Sequence, residues 1–166
     1  MKKELYTIET INITKWFNEL SQEKRDALPL KVHYYLKKAV NAMADDVKSF
    51  EELRDGEMQK IRDIYFSEEK SDECDVPKTD ESGNPIKDAD GKPVTEKGRK
   101  IKPEYEEAYN DAIQMLDDKL KEILFEKNTY EYKKADVGEM IENLPDDSLL
   151  KNSDIDIIDA IFEETK

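Results

Sequence analysis

A mainly α-helical fold follows from three features of the chain. Two long stretches carry apolar residues at gaps of three and four, a polar interval separates them, and short alternating segments lie towards both ends. Together they predict a long antiparallel helical hairpin, coiled-coil-like, with a small two-stranded sheet and short helices at its base. At 166 residues the chain is expected to form a single domain, 1–166, large enough to bury a core. Hydrophobic residues make up 37% and charged residues 41%, so the core is narrow and the surface heavily charged, as long thin helices require.

Leu5 to Ile13 alternates loosely, with Tyr6, Ile8 and Thr10 on one side, and its Ile, Thr and Tyr content suits a short strand. Thr14 then caps a short helix from Lys15 to about Ser21; a start at Thr10 or Asn12 is the alternative. Residues 21–27 are polar. Pro29 disfavours helical geometry at Leu28, which separates this helix from the next.

The first long helix is expected from Pro29 to about Phe66. Its stripe is Val32, Leu36, Val40, Met43, Val47, Phe50, Leu53, Met58, Ile61 and Tyr65. Proline suits the first turn, where its missing N–H costs nothing. Gly56 is the weak point, about 1 kcal/mol worse than alanine, and marks a bend or nothing.

Residues 67–102 change in character. Pro77, Gly83, Pro85, Gly91 and Pro93 punctuate a polar stretch, and two similar units begin at Asp80 and Asp88, eight residues apart. Each reads as a turn feeding a short extended piece, since glycine supplies positive φ and proline blocks helix. An exposed, flexible loop at the hairpin tip is the expectation.

Pro103 opens the second long helix, to about Glu126, with Glu104, Glu106 and Glu107 favourable to the helix dipole. Tyr105, Tyr109, Ala112, Ile113, Leu116, Leu120, Ile123 and Leu124 form its stripe, to pack antiparallel on the first helix. Thr129 to Lys133 alternates as a strand, whose natural partner is the N-terminal strand. Val137 to Leu144 reads as a short helix stopped by Pro145. Ser153 with Asp156 resembles a capping box opening a last helix, with Ile155, Ile158, Ile161 and Phe162 inward.

The chemistry-bearing residues are few. Net charge is −14, which disfavours direct binding to nucleic-acid phosphates or anionic membrane. No apolar run approaches a membrane span, and the start lacks a secretory h-region, so a cytoplasmic protein is the expectation. His33 is the sole histidine and reads as structural. The sole cysteine, Cys74, lies between Glu73 and Asp75, which raise rather than lower a thiol pKa. Asp88, Asp90 and Gly91 fail the spacing of a calcium loop. Asp146, Asp147, Asp154, Asp156, Asp159, Glu163 and Glu164 crowd the tail but belong to a turn, a cap and a polar helix face. No phosphate loop or nucleophile elbow is present, so no enzyme, metal or cofactor is expected.

The opening Leu28-Pro29-x-Lys31-x-x-Tyr34-x-Leu36-x-Lys38, the Phe50-Glu51-Glu52-x-Arg54 segment and the paired Asp-x-x-Gly-x-Pro turns carry a resemblance. The chain is similar, over most of its length, to a family of small uncharacterised phage and prophage proteins from low-GC Gram-positive bacteria. The resemblance implies a helical hairpin and a phage origin, and supplies no catalytic residues.

The expected function is that of a non-enzymatic phage or prophage accessory protein acting through protein–protein contact in phage structure or assembly. Its partner is a phage or host protein, or a second copy, in the host cytoplasm or on the virion. One alternative is an inhibitor of host defence, anti-CRISPR-like, whose acidic faces imitate nucleic acid. Another is a metal-dependent enzyme using the tail carboxylates. Candidate binding residues lie on exposed helix faces: Asp45, Asp46, Glu51, Glu52, Glu57, Asp117 and Asp118, with Tyr34 and Tyr35 as aromatic anchors.

Overall fold

The computed structural model describes residues 1–80, 82–138 and 149–163. In chain order the elements are β1 (Lys2–Tyr6), α1 (Thr7–Glu19), α2 (Gln22–Ala27), α3 (Leu30–Tyr65), β2 (Ser71–Pro77), β3 (Thr95–Ile101), α4 (Pro103–Leu124), β4 (Lys127–Glu131) and α5 (Asn152–Phe162). The expected short helix from Val137 to Leu144 falls largely outside the described residues. Contacts group into two compact units, one of Met1–Leu53 with Leu120–Lys166 and one of Arg54–Lys119.

In the first unit β1 pairs antiparallel with β4, from Lys2 opposite Glu131 to Tyr6 opposite Lys127, as the alternation at both ends predicts. Leu5 and Tyr130 point from this sheet into the core, where Phe17, Leu20, Leu28, Leu36, Met43 and Phe162 gather. The expected strand as far as Ile13 is overturned: β1 ends at Tyr6, and α1 starts at Thr7, earlier than any start the sequence suggested. The reason is that threonine carries this helix's inner face. Thr7, Thr10, Ile13, Thr14 and Phe17 are all buried at helical spacing, yet β-branched residues read as strand. A buried threonine is tolerable because the Thr10 hydroxyl donates to the Tyr6 carbonyl one turn back, at 3.2 Å. The Tyr6 N–H donates to the Glu9 carboxylate at 2.8 Å, closing the helix start.

The polar stretch after Ser21 coils into α2, whose Lys24 N–H donates to the Ser21 hydroxyl. Leu28 is extended (φ −76°, ψ 136°) as a residue before proline should be, and α3 begins directly after Pro29. Along α3, Val32, Leu36, Val40, Met43, Val47 and Phe50 are buried as the stripe predicts, together with Ala39, while Leu53 is exposed. Gly56 lies within the helix.

The second unit holds the end of α3 and the start of α4. The Tyr65 hydroxyl donates to the Ala108 carbonyl at 3.0 Å, and the Tyr65 and Tyr109 rings meet edge to face at 5.6 Å. In the first unit Phe50 and Leu53 of α3 line one cleft with Ile123 of α4, so the two helices form the expected antiparallel hairpin.

Residues 67–102 depart from a loop. They form an antiparallel ribbon, β2 on β3, with Ser71 opposite Ile101 and Pro77 opposite Thr95. Gly98 sits where a Cβ would lie 2.8 Å from a Val76 methyl, so glycine here permits the close approach of the strands. Beyond the ribbon, the two repeated units fold alike. The Asp80 carboxylate accepts the N–H groups of Ser82 and Asn84, and the Asp88 carboxylate accepts those of Asp90 and Lys92, all at 2.9 Å. Gly83 and Gly91 take φ of +82° and +78°. Lys78, Ile86 and Val94, each eight residues on, close a ring of backbone hydrogen bonds at 2.8 Å.

The last helix is capped two residues earlier than expected. The Lys151 N–H donates to the Asp154 carboxylate at 2.9 Å, so Asp154 rather than Asp156 does the capping. Ile158, Ile161 and Phe162 are buried as predicted. Among the described residues no helix is long and apolar enough to cross a membrane.

Candidate functional site

A small cleft in the first unit brings apolar and carboxylate groups together. Thr7, Asp46, Ser49, Phe50, Leu53, Ile123, Glu126 and Asn128 line it, with a volume of about 200 Å³. That is below the roughly 300–1,000 Å³ of typical small-molecule pockets, and suits one protein side chain better than a cofactor.

Each wall has a local cause. The α3 stripe runs on past buried Phe50 to Leu53, which is 43% exposed. At the end of α4, Phe125 lies just past the helix and is 63% exposed. Its ring meets that of Tyr6 edge to face at 6.4 Å, and the Lys127 ammonium lies 5.3 Å from the Tyr6 centroid. The Thr7 N–H donates to the Glu126 carbonyl at 2.9 Å, and the Asn128 amide donates to the Thr7 hydroxyl at 3.1 Å, which fixes this rim.

Asp46 supplies the charge. It accepts a hydrogen bond from the Tyr130 hydroxyl at 2.7 Å, and the Thr10 hydroxyl lies 3.3 Å from that phenol oxygen. Burial, with the Asp46 carboxylate beside it, pushes the Tyr130 phenol up to about 12, so it remains a donor at neutral pH. The cleft therefore presents an apolar floor and a positioned carboxylate.

Of the expected binding residues, only Asp46 lines this cleft. Asp45, Glu51, Asp117 and Asp118 are exposed on α3 and α4, and Glu52 is exposed with Lys48 at 3.7 Å. Gln114 donates to Asp118 at 3.0 Å. Glu57 is half-buried and paired with Lys60, whose hydrogen bond and charge hold its carboxyl below the usual range. Tyr34 is exposed beneath Lys38, while Tyr35 packs partly into the core, their rings 5.5 Å apart. His33 is half-buried with its ring 6.1 Å from Phe17.

The tail carboxylates divide. Asp146, Asp147 and Glu164 lie outside the described residues. Asp154 is buried and committed: one oxygen accepts from Trp16 at 3.0 Å, the other from Lys24 at 2.6 Å and from the Lys151 N–H. Burial pushes its carboxyl up, but the bonds from Lys24, Trp16 and Lys151 outweigh it and hold the pKa below the ordinary value. Such a carboxylate fastens α5 to α1 and α2. Among the described residues no group of three or more His, Cys, Asp and Glu side chains could hold a metal ion.

Sequence reasoning placed Phe50 and Leu53 on a buried stripe and did not single out Tyr6 or Phe125. The available signal was Phe125 itself, an aromatic falling off the α4 stripe just before the strand. No protein-family model, curated protein or solved structure matches the chain.

Proposed function

We propose that this chain works by binding another protein, without catalysis, as a phage or prophage accessory factor of the host cytoplasm or the virion. The observation that supports it is the cleft, where exposed Leu53 lies with a fixed carboxylate, together with the exposed ring pair Tyr6 and Phe125, the chain neighbours of its lining residues Thr7 and Glu126. Exposed aromatic anchors around a small pocket are the usual energetic centre of an interface. The cleft's contents suit a partner side chain with an apolar stem and a cationic head, a lysine or arginine, the stem on Phe50 and Leu53 and the head at Asp46.

The test is affinity capture from lysates of infected and uninfected host, with wild type beside Leu53→Ala/Phe125→Ala. A protein retained by wild type and lost by the variant supports the reading. Identical retention by both forms contradicts it.

A second reading, imitation of nucleic acid, is favoured by one feature. Asp45, Glu51 and Asp117 are exposed and make no ion pair among the described residues, so their charge is uncompensated locally. That reading expects capture of a nucleic-acid-handling protein that is lost steeply as salt rises, and lost again in Asp45→Asn/Glu51→Gln.

A further inference from the structure

Among the described residues the β2–β3 ribbon has two strands, so each strand keeps one edge without a hydrogen-bonded strand beside it. Which residues face outward is fixed by two bonds that bracket it. The Lys102 N–H donates to the Lys70 carbonyl at 2.9 Å, and the Lys78 N–H donates to the Val94 carbonyl at 2.8 Å. Both continue the register of Ser71 opposite Ile101. In an antiparallel pair, residues that bond across alternate with residues whose N–H and C=O point away. Asp72–Lys100, Cys74–Gly98 and Val76–Glu96 are then the bonded pairs. Glu73 and Asp75 turn their backbone groups outward on β2, and Lys97 and Arg99 turn theirs outward on β3.

The two open edges therefore carry opposite charge. Glu73 and Asp75 lie on one, and Lys97 lies on the other. Asp75 and Lys97 already pair across the ribbon at 2.8 Å, with side chains 61% and 76% exposed, which leaves room on each for a second partner. Arg99 reaches across the ribbon to the Ser71 hydroxyl and carbonyl on β2, which leaves Lys97 as the basic group at the β3 edge.

We propose that the ribbon is a self-association surface, on which the β2 edge of one copy adds antiparallel to the β3 edge of another. Charged edge residues normally discourage strand addition. Here the charges discourage only the symmetric pairings, because β2 on β2 sets acid against acid and β3 on β3 sets base against base. The head-to-tail pairing alternates acid and base across the new ladder. Such a contact is heterologous, so it builds a ring or a filament rather than closing as a two-fold dimer. It uses none of the cleft residues, so its failure and the failure of the binding reading are separable.

The test is sedimentation velocity of the full chain over a wide concentration range, for wild type, Asp75→Lys, Lys97→Glu and the double variant in which the charges are exchanged. The expected result is concentration-dependent association of wild type, weakened about tenfold or more in each single variant by like charges at the new ladder, and recovered in the double variant. Far-UV circular dichroism checks folding; if either variant fails that check, Asp75→Asn and Lys97→Gln replace the singles and should weaken association in the same direction. A wild type that stays monomeric throughout overturns the proposal. So does association that the single variants leave unchanged, or that the double variant fails to recover.

Discussion

In the first unit, side chains from β1, α1, α3, β4 and α5 bury one another, and Leu36, Met43, Ile158, Ile161 and Phe162 are almost wholly out of water. In the second, only Ser71, Ile101 and Leu116 are buried among the described residues, and the ribbon is held by hydrogen bonds, ion pairs and ring contacts. Lys70 lies against the Tyr65 and Tyr105 rings at 5.0 and 5.5 Å, and Arg99 and Lys102 tie the ribbon's base to the carbonyls of Ser71 and Glu69. The difference teaches how each unit resists change. Apolar burial is cooperative and costly to disturb, whereas solvent-accessible polar ties each contribute little and let a segment open by itself.

The largest expected effect is therefore in the first unit. Leu36→Ala removes a fully buried side chain and should cost about 2–5 kcal/mol, read as a lower urea midpoint.

Asp154→Ala comes next, at about 1–3 kcal/mol, because it strips a buried carboxylate's bonds from Trp16, Lys24 and Lys151. Its pH dependence has a definite sign. The folded pKa lies below the ordinary 3.8, so its contribution is present above that value and is lost as pH falls through the folded pKa. Acidification should accordingly destabilise wild type more than Asp154→Ala, measured as urea midpoints between pH 5 and pH 2.

In the second unit Gly98→Ala sets a methyl against Val76 and should cost about 1–2 kcal/mol. The check is amide exchange: faster in β2 and β3, unchanged in β1 and β4. The smallest effect belongs to Asp80→Ala, which frees the N–H groups of Ser82 and Asn84. Those amides should exchange faster while the urea midpoint stays put, and the untouched Asp88 turn serves as an internal control.

The same contrast explains what the sequence revealed. Where burial is apolar and periodic, as along α3 from Val32 to Phe50, the helix and its inner face were legible. α1 was not, because Thr7, Thr10 and Thr14 carry its inner face, Thr10 bonding the Tyr6 carbonyl one turn back and Thr7 bonding Glu126 and Asn128 across the sheet, partners that residue type alone hides. β2 and β3 were read as loop because both strands are polar and charged, without alternating hydropathy, and lie in a stretch punctuated by Pro77, Gly83, Pro85, Gly91 and Pro93. The repeated aspartate–glycine turns were legible, since positive φ and the carboxylate bonds are written in residue type. At the cleft only Asp46 was anticipated. Leu53 and Phe125 are apolar residues left uncovered, and exposure depends on what lies opposite.

The most direct test of two units held by different forces is native-state hydrogen exchange resolved by residue, across low concentrations of urea. The expected result is that amides of β2, β3 and the Asp80 and Asp88 turns exchange through small openings that depend weakly on urea, while those of α1, the first half of α3 and β4 exchange only through large, strongly urea-dependent unfolding. A single urea dependence shared by both sets would contradict the account.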